Sequence, residues 1–406
     1  MADGGKIKNA KRRSHDVRFL FIFLVIVLTG IIIEGGSRLA FVFRDEIKTF
    51  LNLAATPDLN EYEMPDPKHP SLSWVLRPGI SRTLEQTVNA KEYSGRFLAV
   101  KHLTDRASQL NFNQDEIIYQ INSDGFKGPE IDKTHSQPRI LTIGDSCTFR
   151  SLFDKYSYPR ALERELRNRG KRIEVVNAGV EGYRPKDVLL NIEKMKELRP
   201  EITTIYLGWN SIWEEGPAGG IESYLASFRL ARSAFMRLAN LVIGMRKIES
   251  QGWLRRAMAP DKNAPQVHSA EGYNPKFLKD IAKIIDEMQS VGSKVVIITI
   301  PSLYIMEEEP SERAFKVGFL PPYTNNPYVL AKLIEQYNFD LRRLAKQRGL
   351  QVIDLEKWGK KIMRPRDIFF DDTSHPTEET SELIGKHIAE ELLPSVELAQ
   401  HMRNLK

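Results

Sequence analysis

Residues 139–150 read RILTIGDSCTFR, and this stretch decides the fold. Ile140–Ile143 is a short apolar run that ends abruptly on Gly144-Asp145-Ser146, with the chain's single cysteine, Cys147, directly behind. Such a run, closed by glycine, suits a strand covered on both faces, as in a parallel sheet. Similar runs predict strands at Ile173–Val176, Thr204–Leu207, Val295–Ile300 and Gln351–Leu355. Between and after them, apolar residues at helical spacing predict helices over Tyr158–Arg169, Pro185–Leu198, Pro275–Val291, Val329–Gln347 and Thr377–Leu392. Short strands alternating with amphipathic helices make βαβ units, so the fold class is α/β with a parallel five-stranded sheet.

Ligands of open parallel sheets sit outside the carboxyl ends of the strands, so each strand's exit is a test of function. The first exit is Gly144-Asp145-Ser146. The second is NAGVEGY, with Gly179 three residues past Val176, and the third is GWNS, with Asn210 three residues past Leu207. The fifth strand is followed, after a short excursion, by DDTSHPT, which carries Asp372 and His375. A hydroxyl nucleophile, a glycine N–H, a carboxamide and an Asp/His pair on one rim are the parts for acyl transfer through a serine.

The Asp-x-x-His spacing alone selects nothing, because it occurs three times: Asp66–His69, Asp132–His135 and Asp372–His375. Only His375 follows the carboxyl end of a sheet strand. No cluster has metal-ligand spacing, so neither a metal nor another cofactor is expected. Cys147 reads as a small half-buried filler rather than a reactive thiol.

The 406 residues can bury a large core; 28% are charged and 41% apolar, the profile of a globular body. A formal net charge of +6 without a basic stripe gives no reason to expect nucleic acid. One cysteine excludes an internal disulfide framework. Residues 1–18 carry six cations, and Phe19–Ile33 then runs without charge. Those fifteen residues reach only about 22 Å as a helix, so a span would borrow flanking residues out to about Phe43. An uncleaved anchor over 19–43 is expected, with a cleaved signal peptide as its rival, since no A-x-A-like site follows. The charge bias then implies a single-pass, N-in topology with the body outside the cytoplasm, in a bacterial periplasm. Residues 44–72 read as a spacer and 73–138 as a small β-rich lead-in, with 139–397 as the main domain. An insertion over 212–274, basic and helical, reads as a cap over the site, with lipid contact or a solvated helix face as alternatives.

Gly144-Asp145-Ser146, the glycine of NAGV, the GWN of the third exit and DTSHP resemble, in order and spacing, the four sequence blocks of the SGNH (GDSL-type) esterases and acyltransferases. The lead-in INSDGFKGPEI and the N-terminus also resemble membrane-tethered bacterial members. The resemblance implies a flavodoxin-like three-layer α/β/α sandwich. It implies Ser146 as nucleophile, His375 as base and Asp372 as its partner, with the Ser146 N–H, the Gly179 N–H and the Asn210 side chain as the oxyanion hole. Two positions depart from the family pattern: Cys147 follows the serine where Leu or Phe is usual, and Ser211 stands where the third block has Asp. The expected activity is that of a serine esterase on an ester, such as an O-acetyl group on a glycan. Transfer of the acyl group to an envelope polysaccharide, or a silent glycan-binding scaffold, are the alternatives. Trp209, Trp213, Tyr304 and Tyr323 lie near the strand exits and either stack on sugar or pack under the cap.

Overall fold

Three strands of the central sheet are buried along their whole length: β5 (Arg139–Gly144), β6 (Glu174–Gly179) and β7 (Ile202–Tyr206). In the computed structural model, which describes residues 24–25, 27–36, 62–66, 69, 72, 74–89, 97–150, 152–215 and 258–405, they join β8 (Lys294–Ile298) and β9 (Gln351–Ile353). The sheet is parallel throughout, in the order β6-β5-β7-β8-β9. In that order the first strand, β5, lies between β6 on one side and β7, β8 and β9 on the other, one of the two common doubly wound arrangements. Strands buried on both faces need helices on both faces. The helix Tyr158–Asn168 packs against the long helix Glu378–Asn404, and Leu278–Ser290 packs against Pro185–Leu190.

The expected elements shift in instructive ways. The helix expected over Pro185–Leu198 divides at Asn191, whose φ of −108° and ψ of 9° leave the helical region, into Pro185–Leu190 and Ile192–Glu197. The closing helix runs past Pro394 to Asn404. Most consequentially, β6 continues to Gly179 instead of ending at Val176.

The lead-in is only partly extended. β1 (Glu63–Met64) and β2 (Val75–Leu76) form one antiparallel ribbon, and β3 (Ile80–Thr83) and β4 (Ile117–Ile121) form a second. Helices Leu84–Asn89 and Phe97–Gln109 stand between the strands of the second ribbon. The Lys127 N–H donates to the Asn177 carbonyl at 3.1 Å, tying the second ribbon to β6, an outer strand of the sheet. Pairing there covers backbone groups that an open edge would expose.

The expectation of a single-pass membrane protein is corrected. Among the described residues no helix is long and apolar enough to cross a membrane. Within the stretch 19–43 only residues 24–25 and 27–36 are described, and they are helical. The N-in topology and periplasmic placement rested on that span and fall with it. Of the expected cap, residues 216–257 lie outside the described residues; Trp209–Glu215 and Pro265–Ala270, at its two borders, are helices.

Candidate active site

Ser146 opens a single helical turn, Ser146–Phe149, at the carboxyl end of β5. Asp145 caps it: its side chain accepts from the Cys147 N–H at 3.1 Å. Capping by Asp satisfies a helix N–H that would otherwise be orphaned. Asp145 is fully buried, and burial pushes its carboxyl up from the ordinary value.

The turn must lie close against the sheet, and glycine permits it. A Cβ on Gly179 would stand 2.4 Å from the Phe149 nitrogen. Contacts below 3 Å are not found between real atoms of this kind, so only glycine lets the turn seat on β6.

Ser146 Oγ lies 2.8 Å from His375 Nε2, and His375 Nδ1 lies 2.7 Å from Asp372 Oδ2. The other carboxylate oxygen, Asp372 Oδ1, accepts from the Ser374 and His375 backbone N–H groups, each at 2.8 Å. That leaves Oδ2 for the imidazole. Burial opposes charge on His375, but the Asp372 carboxylate outweighs it, and the imidazole pKa is raised from its ordinary value. Burial likewise works against the Asp372 anion, and His375 with the two backbone N–H groups overcomes it, so this carboxyl stays below its ordinary value.

Two links hold the histidine loop to the serine turn. Arg150 donates to the Pro376 carbonyl at 2.6 Å and to Asp371 Oδ2 at 3.1 Å, and it is also paired with Glu378. The Cys147 thiol donates to the Ser374 carbonyl at 3.4 Å. Burial pushes this thiol well above its ordinary pKa, with Asp145 and Asp372 adding to the effect, so Cys147 is a thiol that packs and bonds.

Asn210 reaches the same rim. Its Nδ2 donates to the Tyr183 carbonyl at 3.1 Å, which leaves its second N–H without a partner among the described residues and supplies support despite Ser211. Gly179 does not offer its N–H to the rim. That N–H donates to Asn177 Oδ1 at 2.9 Å, and the residue is the last of β6. The expected donor role of Gly179 is therefore corrected. A candidate that the sequence reading passed over is Gly182, three positions later. Its φ of +72° places it in the left-handed region, and its N–H has no partner among the described residues. It precedes Tyr183, whose carbonyl holds Asn210. The Ser146 N–H is also unpartnered among the described residues. The signal for Gly182 was its place in NAGVEGY, one turn beyond the true end of the strand.

The GDSL-like lipase/acylhydrolase family model matches residues 142–383, more than half of the chain. The chain belongs to this family. Solved structures similar to this GDSL-like acylhydrolase include a lipase/acylhydrolase from Enterococcus faecalis, 17% identical, over 64% of this chain and 96% of that one, with a TM-score of 0.37. A GDSL-like lipase from Bacteroides thetaiotaomicron VPI-5482 is 12% identical over 66% and 93%, with a TM-score of 0.35. A catalytic mutant of an acetylxylan esterase from Geobacillus stearothermophilus is 15% identical over 64% and 94%, with a TM-score of 0.38. No curated protein sequence matches the chain. As a member of the family, the protein is a carboxylic ester hydrolase.

The aromatic residues near the rim divide. Trp209 and Tyr304 are buried in the core, and the Tyr304 hydroxyl donates to the Ala314 carbonyl at 3.1 Å. The Tyr323 hydroxyl donates to the Ile212 carbonyl at 2.9 Å. Trp213, half-buried, sits edge-on to Phe319 with ring centroids 5.1 Å apart. The Phe319 backbone is in turn bonded to Thr373 of the histidine loop.

Proposed function

We propose that this acylhydrolase cleaves its ester by covalent catalysis at Ser146, with His375 as general base and Asp372 as its orienting partner. The observation that carries this reading is the unbroken chain from Ser146 Oγ through both imidazole nitrogens to Asp372, at 2.8 and 2.7 Å. Those are hydrogen-bond distances suitable for proton transfer. The neutral imidazole takes the Ser146 proton as Oγ attacks the ester carbonyl. The resulting imidazolium is stabilised by Asp372 and returns the proton to the leaving alkoxide. Water, activated by the same nitrogen, then releases the acid and restores the serine. The developing oxyanion is received by the Ser146 N–H, the free N–H of Asn210 and the Gly182 N–H, three donors left without acceptors among the described residues.

The test is a fluorophosphonate probe, which esterifies an activated serine. It is expected to label the full chain at Ser146 alone, and Ser146→Ala is expected to abolish labelling and hydrolysis of p-nitrophenyl acetate while Tm is preserved. Label at Ser211 or Ser302 would overturn the assignment.

A further inference from the structure

The turn that carries Gly182 is gripped from outside the matched family region. Both strands of the β1–β2 ribbon take part, through residues at their borders. Trp74 Nε1 donates to the Glu181 carbonyl at 3.1 Å, and the Tyr62 hydroxyl donates to Glu181 Oε2 at 2.6 Å. In return, the Tyr183 hydroxyl donates to the Trp74 carbonyl at 2.8 Å. The indole itself lies on the face of Gly182: a Cβ there would stand 2.8 Å from Trp74 Cζ2. Tyr62 also reaches the serine turn, with its ring 5.3 Å from that of Phe149. One ribbon therefore touches both the segment that bears the nucleophile and the segment that bears an oxyanion donor. The family model begins at residue 142, well after it.

We propose that the β1–β2 ribbon is a working part of the active site, with Trp74 as the positioning residue that fixes the Gly182 N–H toward the oxyanion; this rests on the reading of Ser146 and Gly182 given above. A glycine turn at positive φ is conformationally permissive, so by itself it holds a donor loosely. Oxyanion stabilisation depends on donors already aimed before the charge develops. Three hydrogen bonds and an indole against the open face of Gly182 remove that freedom. The indole also excludes water from one side of the turn, which strengthens each electrostatic contact there.

The experiment uses the full chain and p-nitrophenyl acetate, with kcat expressed per site titrated to completion by fluorophosphonate, so that misfolded protein is not counted. Trp74→Ala is expected to lower kcat about 10²-fold, near the loss for one oxyanion donor, and Trp74→Phe, which keeps a ring but loses the indole N–H, about tenfold. KM is expected to stay unchanged. The inhibition constant of phenylboronic acid, whose serine adduct places an oxygen in the oxyanion hole, is expected to rise by the same factors as kcat falls. A merely structural role would lower Tm and the titrated fraction and leave kcat per site intact. Unchanged kcat per site in both variants overturns the inference while leaving Ser146 catalysis standing; so does a rise in KM alone, which would mark Trp74 as a substrate contact. If Trp74→Ala yields no titratable protein, the kcat of Trp74→Phe decides between the two outcomes. Wild-type turnover that survives Ser146→Ala would overturn the reading of the site and this inference with it.

Discussion

The segments DKTHSQ, before the sheet, and DTSHPT, after it, share one spacing and part company in three dimensions. In the first, Asp132 is spent on its own turn: Oδ1 accepts from the Thr134 N–H at 2.9 Å and Oδ2 from the Ser136 N–H at 2.7 Å, with both hydroxyls adding bonds. His135 turns away to Glu201 at 3.3 Å, at the amino end of the sheet. In the second, Asp372 also feeds two backbone N–H groups, but both go to Oδ1. The residue after the histidine makes the difference. Ser136 has an N–H that claims the second oxygen; Pro376 has none, so Asp372 Oδ2 remains for the imidazole. A carboxylate orients a histidine only when the local backbone leaves it an oxygen.

The largest expected effect breaks the comparison outright. His375→Ala should lower ester turnover about 10⁴-fold or more, as in other broken triads, while His135→Ala should leave kcat/KM unchanged. Steady-state kinetics on the two variants checks this, and the reverse outcome would place the base at the wrong end of the sheet.

Asp372→Asn should cost about 10⁴-fold, no more than His375→Ala, because the amide can no longer stabilise the imidazolium. It should also move the pH profile. Below its pKa His375 is protonated and cannot accept the serine proton, so kcat/KM rises with pH. Burial alone would lower that pKa, but Asp372 raises it above the ordinary value of about 6.5. The acid limb of the wild type should therefore lie above about pH 6.5. In Asp372→Asn the main raising influence is gone, and the midpoint should fall. A midpoint that stays or rises in the variant would exclude Asp372 as the group that holds the proton on His375.

The smallest change sharpens the comparison most. Pro376→Ser writes the first segment's pattern into the second, offering Asp372 Oδ2 a competing N–H and hydroxyl. Turnover should drop about tenfold, the scale of one hydrogen bond to a charged group, with a smaller downward shift of the acid limb than in Asp372→Asn. Ser136→Pro, its mirror, should leave turnover untouched. Equal kinetics for Pro376→Ser and wild type would show that the missing N–H is not what frees the oxygen.

Much of this was legible in the residues. Buried strands announce themselves by apolar runs, and at the first, third and fifth exits Ser146, Asn210 and the Asp372/His375 pair sit where the chain order puts them. The second exit failed for a definite reason. β6 runs three residues beyond Val176, because Asn177, Ala178 and Gly179 still pair with Thr142, Ile143 and Gly144 of β5. A strand end is set by where its neighbour stops, which local sequence does not encode. The N–H left without a partner among the described residues is consequently that of Gly182 and not that of Gly179. The N-terminal span was expected from composition alone, and among the described residues no helix is long and apolar enough to cross a membrane.

The sequence by itself determined the α/β class, the parallel sheet, the place of Ser146 at a strand's exit and the family, because periodicity and short motifs are local properties of the chain. Tertiary structure decided which of three Asp-x-x-His pairs meets the serine, which of two glycines keeps an N–H without a partner among the described residues, and that a ribbon near residue 70 grips the turn at residue 182. Each of these depends on hydrogen-bond partners brought from distant parts of the chain, and a donor or acceptor is free only once every competing partner has been placed.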